Sequence, residues 1–415
     1  PIVALGVGAA GLLGGVALLA PLVAGPAARV VGAPLVRLFG EPAFLGRENA
    51  MRSPGRTAST AAALMIGIGL VGVVAILAAS VKASASRTVD DSLRADFVVT
   101  PNGLSGAAGV PPAVAERLRQ SPLVTTVSEI KGGQWGLDGR PQTLLAVDPA
   151  TVTDLHQVDP SSEAAVRRLD DAGVLVRETV AERYGWQVGG TVPMTFARTG
   201  TRAMRLQGTF SSTAVRTDYV ITLGAYRANY AQQFSLEVDV ALAPGVSPAD
   251  GRVEIERLLA DYPVVRIMDH TEVLAAQEQQ VNRLLVPVTA LLALSVLIAL
   301  LGIANTLALS IHERTRELGL LRAIGMARRQ LRTMIRSEAI IIACLGATLG
   351  VAVALFFGWA MVASMRHLGV TELVFPIAQL TGLAALTTVA GMVAGIVPAR
   401  RAASLAVLEA IGTDR

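Results

Sequence analysis

The chain has 415 residues, of which 52% are hydrophobic and 16% charged, with a formal net charge of +4. Soluble domains carry roughly a quarter of charged residues, so these proportions exclude a purely water-soluble protein. The positive balance does not indicate nucleic-acid binding either, because it comes from arginines flanking apolar stretches rather than from a folded basic domain.

Residues 1–28 contain no Asp, Glu, Lys or Arg, and the same holds for residues 57–81, 284–311, 339–365 and 373–399. About 20 apolar residues suffice to cross a bilayer core as a helix, so the sequence predicts five transmembrane helices. Pro1 stands in place of an initiator Met and no charged segment precedes the first stretch, which fits a cleaved signal peptide poorly and gives the expectation of a fragment. Residues 29–56 form a cytoplasmic amphipathic linker with five arginines against Glu41 and Glu48.

Residues 82–283 carry 20 basic and 24 acidic residues, an acidic balance. Because Lys and Arg accumulate on the cytoplasmic side, this segment is expected outside the membrane, opposite the basic segments 29–56, 312–338 and 400–415. Its β-branched and apolar runs predict strands at 96–100, 123–127, 143–147, 173–176, 191–197, 204–210, 219–222, 236–243 and 264–268. Helical spacing appears at 112–119 and 249–259, giving a mixed α/β extracytoplasmic domain. Residues 271–283 lack Pro and Gly and are expected to run as one helix into the third span, and 82–93 to do the same above the second.

Glycine pairs four apart, Gly11/Gly15, Gly346/Gly350 and Gly391/Gly395, permit close helix approach, and Asn305 is placed to bridge helices by a hydrogen bond. Cys344 is the one cysteine and lies inside a span, so the outer domain holds no disulfide. The spans carry no Asp, Glu, Lys or Arg for a proton or ion relay. Residues 366–372 form a short extracytoplasmic loop.

No catalytic, cofactor or metal constellation is legible. His156, His270, His312 and His367 are scattered, and Asp269-His270 beside Glu272 reads as a polar strand-to-helix junction. The two lysines, Lys82 and Lys131, do not end a GxxxxGK[ST] loop, so no Walker ATP site is present. The segment 312–338 places Leu318, Leu320, Leu321, Ile324 and Met326 between charged ends, either as a binding surface or as an interfacial helix.

The stretch GIANTLALSIHERTRELGLLRAIGMARRQLRTMIRSEA, preceded by LGRENAMRSPGRTAST and followed by PARRAASLAVLEAIG, resembles the FtsX-like permeases of ABC transporters, of the MacB and lipoprotein-release types. GVLVRETVAERYGWQVGGTVPMTF is similar to a recurrent piece of that family's outer domain. Met326-Ala327 stands where the family more often has Ala-Ser or Ala-Thr.

The resemblance implies a non-enzymatic permease subunit of the inner, cytoplasmic membrane, with no cofactor and with ATP bound by a separate ABC ATPase. The segment Glu313, Arg314, Arg316, Glu317, Leu318, Gly319, Leu321, Arg322, Ile324 and Gly325 would then be the coupling helix, with Leu318, Leu321, Ile324 and Gly325 touching the ATPase. Residues 1–28 are similar to the helix joining the halves of duplicated members, giving the expectation of a C-terminal half that works with a second permease half or subunit. Two roles remain open: export or extraction of a lipid-linked, peptide or amphiphilic substrate, and transmission of motion to an extracytoplasmic partner such as a cell-wall hydrolase.

Overall fold

The computed structural model describes residues 25–26, 28–52, 54–103, 109–157, 160–211 and 217–404, together with Gly8, Gly11, Gly14 and Gly15. The chain divides into a helical unit, residues 1–83 and 280–415, and a sheet unit, residues 84–279.

Among the described residues, four helices are long and apolar enough to cross a membrane: Pro54–Ser92, His270–Glu313, Arg328–Ser364 and Ile377–Ser404. The predicted span at 1–28 lies almost wholly outside the described residues. Ahead of the spans, α1 (28–39) and α2 (Glu41–Arg52) occupy the linker, followed by α3 (Pro54–Ser92). A Cβ added at Gly46 of α2 would stand 2.5 Å from the Met334 carbonyl oxygen, a backbone-to-backbone approach that only glycine permits.

Helix α10 (His270–Glu313) is unbroken, as the absence of Pro and Gly in 271–283 predicts, and it tolerates Pro287 in its interior. After α11 (Thr315–Ala323) and α12 (Arg328–Ser364), the last span begins later than residue 373. Pro376 restricts the backbone before it, so 371–376 stay non-helical and α13 (Ile377–Ala394) starts after it. Ser80 Oγ accepts the Val374 amide proton at 3.0 Å and so ties this stretch to α3. Helix α14 (Ile396–Ser404) closes the described chain.

The sheet unit begins with β1 (Phe97–Pro101), α4 (Pro112–Arg119) and β2 (Val124–Leu137). It ends with β8 (Glu237–Leu242), α9 (Pro248–Leu258) and β9 (Val265–Asp269). These two βαβ units interleave in the order β9-β1-β8-β2, all antiparallel. Their core gathers Phe97, Val99, Val127, Val238 and Val240 with Val114, Leu118 and Ile255 of the two helices and Leu259 at the end of α9.

Between β2 and β8 the chain inserts β3 (Arg140–Val147), α5 (Pro149–Leu155), α6 (Pro160–Arg167), β4 (Gly173–Arg177), α7 (Glu178–Tyr184), β5 (Thr191–Phe196), β6 (Gly200–Phe210), β7 (Tyr219–Thr222) and α8 (Leu223–Asn229). The strands pair in the circuit β2-β3-β7-β4-β6-β5, which the Gly136–Thr195 bridge closes back onto β2. Closing a sheet removes its exposed edges. Inward residues Trp135, Leu144, Val174, Val176, Met194, Phe196 and Leu206 fill the interior.

All nine predicted strands are present. The longest departure is β2, which continues ten residues past Val127 through Lys131 and the Gly132-Gly133 pair. Strand β2 belongs to both sheets, pairing with β8 in its first half and with β3 in its second. Polar residues are tolerated there because they pair: Lys131 Nζ meets Glu129 Oε2 at 3.2 Å and the Gln233 carbonyl, and Arg119 meets Glu129 Oε1 at 2.8 Å.

Candidate functional site

The segment after α10 folds into a short helix held in place at both ends. At Arg314 the backbone leaves the helical region, and its guanidinium takes Glu317 in two bonds of 2.8 and 3.0 Å. It also donates to Asn49 Oδ1 of α2 at 2.8 Å. The hydrogen bonds from Arg314 hold the Glu317 carboxyl below the usual carboxylate range, and Glu317 in turn raises Arg314. Arg56 donates to Glu313 at 2.9 Å, a second tie to the start of α3.

Gly325 ends α11 with φ +112°, outside the range that L side chains adopt freely. The Met326 amide donates to the Leu321 carbonyl and the Gly325 amide to the Arg322 carbonyl, the paired bonds of a Schellman stop. Met326 and Leu321 pack in one cluster, supplying the apolar contact that accompanies such a stop. The role of Gly325 is conformational, since no atom of the described residues lies within 4 Å of where its Cβ would stand.

Leu318, Leu321, Ile324 and Gly325, expected from spacing to share one face, differ in burial. Leu318 is buried among Leu331, Met334 and Ile335 of α12 and Ala399 and Ala402 of α14, and Leu321 packs beside it. Gly319 is buried as well. These residues attach α11 to its own chain. The outward face instead carries Arg316, Leu320 and Ile324, four apart on one stripe, with Leu320 59% and Ile324 75% exposed. Gly325 is exposed beside them, and Arg322 is half-buried.

The apolar residues of this segment fall on two faces of α11, and their spacing alone gives no sign of which face is inside. Behind α11, Asn49, Arg56, Thr57, Thr60, Ser310, Arg314 and Glu338 line a polar pocket of about 10 Å³, roughly the room for one water.

The packing glycines divide into two groups. A Cβ at Gly346 would stand 2.7 Å from Leu64 Cβ, and one at Gly350 2.8 Å from Ile68 Cβ, so both lie where α12 crosses α3. A Cβ at Gly395 would stand 2.8 Å from Ala339 Cβ, and one at Gly391 would overlap Ala343 Cβ, placing this pair against α12. Gly11 and Gly15 have no described atom within 4 Å of a built Cβ. Asn305 is exposed on α10 rather than turned toward a neighbouring helix of the chain. Sequence reasoning passed over Gly67, Gly69 and Gly72 of α3, which meet Val296, Val353 and Ala354.

In the sheet unit, Asp269 Oδ1 accepts from the Thr271 hydroxyl and the Glu272 amide, while Glu272 Oε2 accepts from the Asp269 amide. This is a reciprocal cap on α10, the polar junction read from sequence. His270 pairs with Asp90 at 2.7 Å. A grouping that sequence did not reveal is His156, Glu237 and Asp239, whose ligating atoms lie within 4.8 Å of one another and form the only such trio among the described residues.

Residues 289–407 match the FtsX-like permease C-terminal family, and residues 57–258 match the MacB-like periplasmic core domain. The chain is 31% identical over 150 residues to the macrolide export ATP-binding/permease protein MacB of Hyphomonas neptunium, a match covering 36% of this chain and 22% of that protein. It is 26% identical over 163 residues to the pyoverdine export ATP-binding/permease protein PvdT of Pseudomonas syringae pv. tomato, covering 39% of this chain and 24% of the relative. The matched portion thus spans about a quarter or less of each relative's length. The periplasmic region of MacB from Actinobacillus actinomycetemcomitans overlays 46% of this chain and 95% of its own at 12% identity, with a TM-score of 0.34.

Proposed function

We propose that this chain, which belongs to the FtsX-like permease family, is the transmembrane subunit of an ABC transporter that receives its stroke from a separate ATPase through α11. The observation that carries the reading is the two-sided build of α11. Its inner face is fixed by Leu318 and the Arg314–Glu317–Asn49 bonds, while Leu320 and Ile324 stand exposed on the outer face. A rigidly seated helix with a bare apolar stripe is suited to transmit force from a docked protein into α12 and α14.

The relatives' printed names describe export proteins, which supports an export role; the substrate class we propose is lipid-linked, peptide or amphiphilic. Transmission of motion to an extracytoplasmic partner is the second role the architecture serves. In this reading the sheet unit faces the extracytoplasmic side of the inner membrane, α11 faces the cytoplasm, and a second permease half or subunit completes the assembly. The chain performs no catalysis itself, and ATP binds to the partner.

The test is nucleotide handling by the purified full chain in lipid nanodiscs. The chain alone is expected neither to bind nor to hydrolyse ATP, and to gain hydrolysis only with its co-expressed ATPase. Stoichiometric ATP binding by the isolated chain refutes the proposal. Orientation is checked with Cys344→Ala chains carrying Thr191→Cys or Ala323→Cys, both at exposed positions. In intact cells an impermeant thiol reagent is expected to label the first and spare the second.

A further inference from the structure

The sheet unit contains a cavity of about 380 Å³ where the inserted strands meet the two βαβ units. Its walls are apolar over most of their area, from Val98, Ile130, Leu145, Val147, Phe210 and Val220. One end is acidic. Glu237 and Asp239 alternate on β8 and so share a face, and His156 faces them from the end of α5, with Nε2 at 2.8 Å from Asp239 Oδ2.

Asp239 has no exposed side-chain surface, yet its second oxygen, Oδ1, has no hydrogen-bond partner among the described residues. Gln277 Oε1, which lines the same cavity, is also buried without a partner. Buried acceptors left unpaired are destabilising by roughly 1–3 kcal/mol each, and both of these are acceptors. Burial lowers the proton affinity of His156, but the hydrogen bond and charge of Asp239 and the charge of Glu237 outweigh it and raise the imidazole. Asp239 and Glu237 thus stand together beside His156 at this end, within apolar walls.

From these observations we propose that the cavity binds an amphiphilic primary ammonium ion, its –NH3+ group donating to Asp239 Oδ1 and Gln277 Oε1 and its hydrocarbon lying along the Leu145, Val147 and Phe210 wall. An ammonium supplies donors only, matching unpaired groups that are acceptors only. A carboxylate or phosphate headgroup would add charge of the wrong sign. A bare divalent cation would answer the trio of His156, Glu237 and Asp239 but leave the apolar walls without a role. The volume falls within the ~300–1,000 Å³ of small-molecule sites, which are mostly apolar with a few convergent polar groups. The inference concerns binding in the sheet unit and does not rest on the transport reading.

The test is isothermal calorimetry of the full chain in lipid nanodiscs, with octylamine as the probe at neutral pH and empty nanodiscs as the correction for partitioning. Octylamine is expected to bind one saturable site at least ten-fold more tightly than octanol, with octanoate not binding. Asp239→Asn is expected to remove the preference for the amine over the alcohol. Leu145→Trp, at a half-buried position on the wall, is expected to weaken octylamine binding at least ten-fold with the charges untouched. Equal binding of amine and alcohol by the wild-type chain overturns the proposal, as does octylamine binding unchanged in Leu145→Trp. Stoichiometric Zn2+ binding that is lost in His156→Ala, with no octylamine site, would overturn it in favour of a metal centre.

Discussion

Truncating Leu320 or Ile324 to Ala is expected to separate docking from folding, because both side chains are exposed among the described residues. Fully burying such a side chain is worth about 1.5–3 kcal/mol. Leu320 and Ile324 still expose 59% and 75% of their surface, so an interface that covers them gains roughly 1–2 kcal/mol from each. Each Ala variant is therefore expected to weaken ATPase binding by about 5- to 30-fold, with thermal stability changed by no more than about 0.5 kcal/mol as for other surface substitutions. Leu318→Ala reverses the pattern. Leu318 is 4% exposed among Leu331, Met334, Ile335, Ala399 and Ala402, so its truncation is expected to destabilise the packing of α11 by about 2–5 kcal/mol. The assay is ATPase affinity for the full chain in nanodiscs, read beside hydrogen exchange of α11 amides. Affinity unchanged in both Leu320→Ala and Ile324→Ala would refute the docking face and leave α11 an interfacial helix.

Gly325→Ala forces a Cβ into φ +112°, a strain of about 1–3 kcal/mol; faster exchange at the Gly325 and Met326 amides is expected, and unchanged exchange would count against the Schellman stop. Gly346→Leu drives a side chain into Leu64 Cβ and the Ala61 carbonyl and is expected to lower the melting temperature in nanodiscs, whereas Gly302→Ala, with no atom within 4 Å of its built Cβ, is expected to be neutral. Burial raises the Glu129 carboxyl, but the hydrogen bonds from Arg119 and Ser235 and the charge of Lys131 prevail and lower it. As pH falls below the ordinary Glu value of about 4.3, the unfolded chain takes up the proton first, so this stabilisation is present above that pH and is lost on approach to the lowered folded value. Exchange protection of β2 is expected to decline over that window in the wild-type chain and to change less in Glu129→Gln; equal declines would refute the assignment.

The strands of the sheet unit were legible because runs such as Val174-Leu175-Val176 and Tyr219-Val220-Ile221 place β-branched and aromatic residues where both faces are covered. The closure of six strands into a ring was not, since it depends on which strands pair across up to 75 residues, as in Leu145 with Val220. The second half of β2 was hidden for a different reason: Glu129, Lys131, Gly132 and Gly133 all oppose a strand locally, and their own pairing together with the Arg119, Gln233 and Ser235 partners makes the charges tolerable. The trio of His156, Glu237 and Asp239 is likewise a product of the fold, brought together when β8 returns beside β2 after the insertion.

Residues 313–325 carry the strongest family resemblance in the sequence, yet the sequence does not show which face of the helix is buried. A surface helix that needs only one burial partner shows a single apolar stripe. Helix α11 shows two: Leu318 and Leu321 on one side, Leu320 and Ile324 on the other, within a helix of nine residues. The first stripe is satisfied by α12 and α14. The second has no such cover from the described residues of its own chain, and a helix of this length contributes too little intrinsic stability to hold an apolar stripe in water without other support. That support is present in the Arg314–Glu317–Asn49 bonds, the Arg56–Glu313 pair and the Schellman stop at Gly325, which fix the helix independently of whatever covers Ile324. On the proposed docking role, such a face is pre-ordered, so docking would cost little conformational entropy, and displacement of α11 would pass to the α12 and α14 side chains packed on Leu318.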